Sequence, residues 1–273
     1  MKNNKDSLGD RMKTYENVTR TYLTRRTPVI IRLDGRSFHT FTRGFKKPFD
    51  DVLVKSMQDT MKYLCENIQG CVLGYTQSDE ITLVLVDYQD RDTSAWFDNN
   101  IQKMVSVSAS MATMKFNQVF FGKVTAYACS LNFEEITDED CKRYQVYLSA
   151  EEKGAMFDAR VFNIPKEEVV NCLLWRQQDC VRNSIQSVGQ ANFSHKQLEG
   201  KNCNDIQDML MTEKGINWND YPTHLKRGSC CIKKPFKINE DTNKETIRNK
   251  WIIDTEIPIF TQDKDYVNKL VII

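Results

Sequence analysis

The chain has 273 residues, 40% hydrophobic and 27% charged, with a formal net charge of +1. That is the make-up of an ordinary globular protein, with length for one large domain or two small ones. It excludes a global field that would draw the protein onto polyanions. No apolar run approaches the roughly 20 residues of a membrane helix, so no membrane partner is expected.

The start, "MKNNKDSLGDRMK", lacks the apolar core of a secretory signal. Nine cysteines, none spaced C-x-x-C, suit reduced thiols better than a disulfide framework or a zinc site. A cytoplasmic protein is the expectation. Residues 28 to 34 read as a buried strand, with Pro28 at its edge and Val29, Ile30, Ile31 and Leu33 inside. Beyond the turn, Val54, Met57, Met61, Leu64 and Ile68 fall at helical spacing behind a cap at Asp50 or Asp51. "CVLGY" and "ITLVLV" flank "TQSDE", which predicts a β-hairpin with acids at its tip.

Residues 95 to about 120 predict a long helix, "VTAYACSLNF" a further strand, and Glu134 to Arg143 an exposed acidic loop. "MFDARVFNIP" reads as another strand, and Pro165 as the opening of a helix that carries "EEVVNCLLWRQQDCVRN". The tail adds a short helix ending at Gly215 and two β-like runs, "GSCCIKKPF" and "KWIIDTEIPIF". The expected fold class is α+β: a largely antiparallel sheet with helices packed on one face, plus a mixed helical and β C-terminal extension. No linker marks a boundary. A core over 1–165 and an extension over 166–273 is the expected division.

Two acids carry the chemistry. Asp34 leaves the first strand in "VIIRLDGRSFHTF", and Asp79 sits at the hairpin tip. If the first strand lies beside the hairpin, both carboxylates emerge at one end of the sheet, where they repel unless a cation lies between them. Hard oxygen ligands suit magnesium, and two such ions can clamp the oxygens of a phosphoryl transfer. Gly35 lets the backbone approach an ion or triphosphate closely. Arg36 and Lys47 could neutralise phosphate oxygens, and Ser78 offers a short donor. His39 falls near the expected phosphates, and Lys103 on the long helix could reach one. Glu80, extended beside Asp79, points to the opposite side and is taken to assist. Eight basic residues between Arg20 and Lys47, against the single acid Asp34, provide a local positive face. Arg25 and Arg26 in that stretch, with Arg182, Lys226 and Arg227 further on, are the candidate RNA contacts. His195 and His224 have no ligand neighbours at zinc spacing and receive no role.

"RLDGRSFHTF", "KKPFD", "YTQSDE", "FDARVFNIP" and "WRQQDC", in this order, resemble the tRNA-histidine guanylyltransferase family. The opening "LGDRMKTYE" is similar to its bacterial and phage branch. The resemblance implies 3′-to-5′ nucleotide addition at the 5′ end of a tRNA, a palm-like core, two magnesium ions, and ATP, GTP and other nucleoside triphosphates as substrates. It places the ions on Asp34, the Gly35 carbonyl and Asp79. It places nucleotide contacts on Asp34, Gly35, Arg36, Ser37, Phe38 and His39, on Ser78 and Asp79, and on Lys47 and Asp50. A homo-oligomer, dimer or tetramer, is also implied. Where the eukaryotic enzymes carry His-Ile-Asn-Asn, this chain reads Val181-Arg182-Asn183-Ser184, which points to template-directed repair of truncated tRNAs rather than strict histidine-tRNA specificity. A tRNA-binding protein without catalysis and a palm-type nucleotidyl cyclase are the alternatives.

Overall fold

The computed structural model describes residues 7–131, 135–238 and 246–272. After α1 (Leu8–Asn17), β1 (Val29–Gly35) alternates as its β-branched run requires: Val29, Ile31 and Leu33 enter one core and Ile30 enters another. The short α2 (Phe38–Phe41) follows, then α3 (Asp51–Asn67), which the Asp50 carboxylate caps by accepting from Leu53 N at 3.1 Å. As its spacing predicts, α3 buries Met57, Met61 and Leu64. The hairpin β2 (Cys71–Gln77) and β3 (Glu80–Leu85) turns at Ser78 and Asp79.

The next helix is longer than its sequence suggested. α4 (Ile101–Ser130) runs through "VTAYACS", which was expected to start a strand. Its buried residues recur every fourth position, from Met104 through Ser108, Ala112, Phe116 and Phe120 to Val124, so the helical period passes through that segment unbroken. The expected acidic loop is also corrected. Glu134 lies outside the described residues, but α5 (Asp138–Lys153) is a helix opened by a Thr137/Asp140 capping box. β4 (Phe157–Asn163) closes this half.

Past Pro165 and one tight turn come α6 (Val169–Asn192), α7 (His195–Leu198), α8 (Cys203–Lys214) with Gly215 left-handed at its end, and α9 (Thr223–Arg227). β5 (Ser229–Ile238), β6 (Thr246–Asp254) and α10 (Asp265–Val271) follow. Among the described residues, six strands form one antiparallel sheet in the order β4-β1-β3-β2-β5-β6. β5 pairs directly with β2, so residues beyond 165 complete the sheet that the first half begins.

Helices of the first half pack on one face of the sheet, as expected, and helices of the C-terminal extension cover the other. α3 and α4 pack over Val29, Ile31, Leu33 and Leu83, while α6 and α10 pack over Ile30, Tyr75 and Val84. Under the end of β1, Phe38, Phe41, Phe116 and Phe157 form a pedestal with ring centroids 5.0 to 5.7 Å apart. Truncating one such ring to alanine costs about 3–5 kcal/mol. The turn above it is therefore rigidly seated.

Candidate active site

Asp34 is the last charged residue of β1, and the register sets it opposite Glu80 on β3 and Asp158 on β4. Gly35 N donates to the Asp79 carbonyl at 3.1 Å, so the end of β1 is tied to the hairpin turn. Ser37 and Ser78 both adopt left-handed backbone conformations, φ 55° and 48°, and each bends its chain around a shared cleft. That cleft, of about 420 Å³, has Asp34, Gly35, Ser37 and His39 on one wall and Ser78 and Asp79 on the other. The two acids and the turn residues expected from sequence do come together.

Burial pushes the Asp79 carboxyl above its usual range; hydrogen bonds from Ser78 and its own amide oppose this, and the negative charge of Asp34 adds to it. Asp34 is 40% exposed, with Arg160 Nη1 at 3.7 Å from its Oδ2. Two mutually repelling carboxylates beside backbone carbonyls and open solvent are a donor set that fits a small hard cation, which binds through one or two carboxylates and keeps its waters. Among the described residues, no group of three or more His, Cys, Asp or Glu is gathered into a closed metal cage.

A second chamber, of about 250 Å³, opens beside the cleft and shares Thr42, Leu53 and Ser78 with it. Lys47 lies at its wall, and Gln77, Asn183 and His224 line its inner part. Gln77 Oε1 and His224 Nδ1 are buried there with no hydrogen-bond partner among the described residues, and burial lowers the His224 pKa. Sequence reasoning stopped one residue short of Gln77 and gave His224 no role. Only the packing of α6 and α9 against the sheet reveals them.

Several expected site residues lie elsewhere or do other work. Glu80 is 6% exposed, and its Oε2 accepts from Arg176 Nη1 of α6 at 2.9 Å, so it belongs to a buried ion pair rather than to the cation seat. Burial pushes its carboxyl up, and Arg176 only partly reverses this. Asp50 borders the chamber, but its oxygens accept from Lys46 N, Leu53 N and Tyr147 Oη at 2.8 to 3.1 Å; it braces the Lys47 loop.

Lys103 sits thirteen residues before Phe116 on α4, about 20 Å along the axis from the pedestal, with its ammonium over the Phe97 ring. It does not reach the cleft. Arg36 is exposed beside Gly35, its amide donating to Met156 O at 2.8 Å. Of the expected RNA contacts, Lys226 is 8% exposed, with its ammonium bonded to Asn219 O. Arg25 bonds Asp87 at 2.6 Å at the opposite end of β1, where the Arg26 amide also donates to Asp87. Arg182 is exposed and paired with Asp179, and Arg227 is half-buried.

An antiparallel sheet that presents two carboxylates from neighbouring turns, with helices behind it and a nucleotide-sized cleft in front, defines a palm-type nucleotidyltransferase. Residues 9–165 match the family model described as tRNAHis guanylyltransferase (Thg1), more than half of the chain, and the protein belongs to that family. A bacterial Thg1-like protein solved in complex with ATP is 43% identical, with a TM-score of 0.79 over 98% of this chain and 100% of the other. A second, in complex with GTP, is 41% identical with a TM-score of 0.77 over the same shares. A probable tRNA(His) guanylyltransferase of Dictyostelium discoideum is 26% identical over 80% of this chain and 78% of its own.

Proposed function

We propose that this protein adds nucleotides to the 5′ end of a tRNA, in the 3′-to-5′ direction and under the guidance of the opposite strand, so that truncated ends are restored. The single observation that carries this reading is the pairing of Asp34 and Asp79 across one cleft, tied by the Gly35–Asp79 backbone bond. The ATP- and GTP-bound relatives support a nucleoside triphosphate in that cleft.

Asp34, Asp79 and the Gly35 carbonyl would hold magnesium, which supplies charge neutralisation for phosphoryl transfer. An oxygen of the RNA 5′-monophosphate attacks the α-phosphorus of ATP; a phosphoanhydride forms and pyrophosphate leaves. The 3′-hydroxyl of an incoming nucleotide then attacks the RNA 5′-phosphorus, AMP departs, and the hydroxyl proton passes to solvent. An RNA that already carries a 5′-triphosphate needs no first step. Ser37, His39, Ser78 and Lys47 border the phosphate path, and the side chamber offers room for a base. Positioning by this rigid turn supplies much of the rate, because both steps are in-line transfers. Assembly as a dimer or tetramer and action in the cytoplasm are part of the same proposal.

The test is extension of a 5′-truncated tRNA, with each nucleotide offered alone. Growth is expected only with the nucleotide complementary to the facing strand. Asp34→Ala and Asp79→Ala should each lower it by roughly a thousandfold or more, about 4 kcal/mol of barrier. Product formation from free nucleotide without RNA would indicate the cyclase alternative and end this reading.

A further inference from the structure

The sheet face beneath α6 carries a feature that neither cleft nor chamber uses. Arg32 and Arg160 stand side by side across β1 and β4, two residues before the Asp34–Asp158 pair in β1. Above them, α6 presents Trp175, 51% exposed although Leu173, Arg176 and Gln177 around it are buried. The Arg176 guanidinium lies 3.4 Å from the indole centroid and that of Arg32 5.5 Å. Arg182 follows Trp175 by seven residues, two turns along the same stripe of the helix, with its side chain 60% exposed.

Exposing an indole beside cations leaves apolar surface wet, and Arg32 Nε is buried without a hydrogen-bond partner among the described residues. Asp34 and Asp158, 3.7 and 3.2 Å from Arg160, Glu80, bonded to Arg176, and Asp179, paired with Arg182, offset the positive charge of the four arginines. Stacking should therefore contribute more than charge. An aromatic wall over a cationic floor is how proteins hold unpaired nucleotides. This floor leads straight to the catalytic end of β1, since Arg160 touches Asp34.

We infer that the step formed by Trp175, Arg32 and Arg160 seats unpaired nucleotides of the RNA acceptor end, with a base on the indole and its phosphates on the two arginines and Arg182. The inference rests on the reading that an RNA end is the substrate. It assigns the strand opposite a truncated 5′ end, whose bases lack partners, to this face.

Two labelled RNA hairpins with one stem sequence test it, one with a recessed 5′ end that leaves facing bases unpaired, the other blunt. Affinities are read by fluorescence anisotropy across a salt series, with ATP binding and 5′ extension measured alongside. Wild-type protein should prefer the recessed hairpin. Trp175→Ala should bind it about tenfold more weakly, leave the blunt hairpin within about twofold, and bind ATP normally. Trp175→Phe should keep most of the affinity. Arg160→Gln should weaken both RNAs and lower the log–log salt slope by about one.

No wild-type preference, wild-type binding by Trp175→Ala, or an equal loss on both hairpins overturns the inference. Should Trp175→Ala not fold, an unchanged salt slope in Arg160→Gln does the same. Absence of 5′ extension by wild-type protein that still prefers the recessed hairpin would instead overturn the proposed reaction and leave this RNA seat standing.

Discussion

The amide of Gly35 donates to the carbonyl of Asp79 over 3.1 Å, and that bond ties the end of β1 to the hairpin turn. Gly35 has a second constraint. A Cβ at this position would lie 2.3 Å from Phe38 Cδ2. Phe38 cannot retreat, because Phe41, Phe116 and Phe157 surround it with centroids at 5.0 to 5.6 Å. Gly35→Ala must therefore displace the turn itself. We expect a stability loss of about 1–3 kcal/mol and, from a shift near 1 Å, roughly a hundredfold slower nucleotide transfer. Thermal melting with pyrophosphate release checks both. Transfer at the wild-type rate would show that the close packing is not felt by the site.

Asp79 gives the site a pH signature. Its folded carboxyl is raised above the ordinary aspartate range, chiefly by burial, which outweighs the hydrogen bonds from Ser78 and its own amide, with the charge of Asp34 adding a smaller push. The native state thus holds this proton more tightly than the unfolded chain. The stabilisation is full below the unfolded value and is lost as pH rises through the folded one, so the ionised group is a burden at neutral pH. In chelator at pH 7, Asp79→Asn should melt above wild type, with the gap closing as pH falls toward 4. Magnesium should favour the wild type. Melting curves that coincide at both pH values would sink the argument.

Glu80 and Arg176 separate structural from catalytic acids. Both side chains are under 10% exposed and bond at 2.9 Å. Removing Glu80 leaves the buried guanidinium with Asp179, at 3.6 Å, as its remaining acidic partner, a cost of up to about 3–5 kcal/mol. Glu80→Ala should unfold at clearly lower temperature than Asp34→Ala, whose side chain is 40% exposed. Comparable melting temperatures for the two variants would return Glu80 to the group of candidate cation ligands.

The strand–turn–hairpin frame was legible in sequence because its signals are local: a β-branched run ending in Asp-Gly, and two apolar runs about an acidic tip. α3 was equally plain, its cap and its apolar positions lying within one segment. "VTAYACS" misled because short β-branched and aromatic residues imitate a strand's alternation. Only the four-residue series from Met104 to Val124 reveals the helix. Glu80 could not be read correctly because Arg176, its partner, is 96 residues away in the chain. Lys103 failed for a related reason: sequence gives a helix its face but not which end of it meets the cleft. The inner chamber was invisible, since α3 and the loop before it, β2, α6 and α9 build it together.

Gln77 offers the sharpest probe of that chamber. It is 7% exposed, and its Oε1 is buried without a partner among the described residues, close to Ser78 and the phosphate path. An unpaired buried acceptor costs about 1–3 kcal/mol, and an amino group on a bound base would relieve that cost. Gln77→Leu should therefore raise the melting temperature of the ligand-free protein while weakening ATP by up to about tenfold. Purine riboside triphosphate, which lacks the amino group of adenine, should bind wild type more weakly than ATP does. The variant should bind the two nucleotides alike. Calorimetric titration of both nucleotides against both proteins gives the four affinities needed. If the variant loses stability and still favours ATP as strongly as wild type, the base lies elsewhere and the chamber serves only to seat α6 and α9 against the sheet.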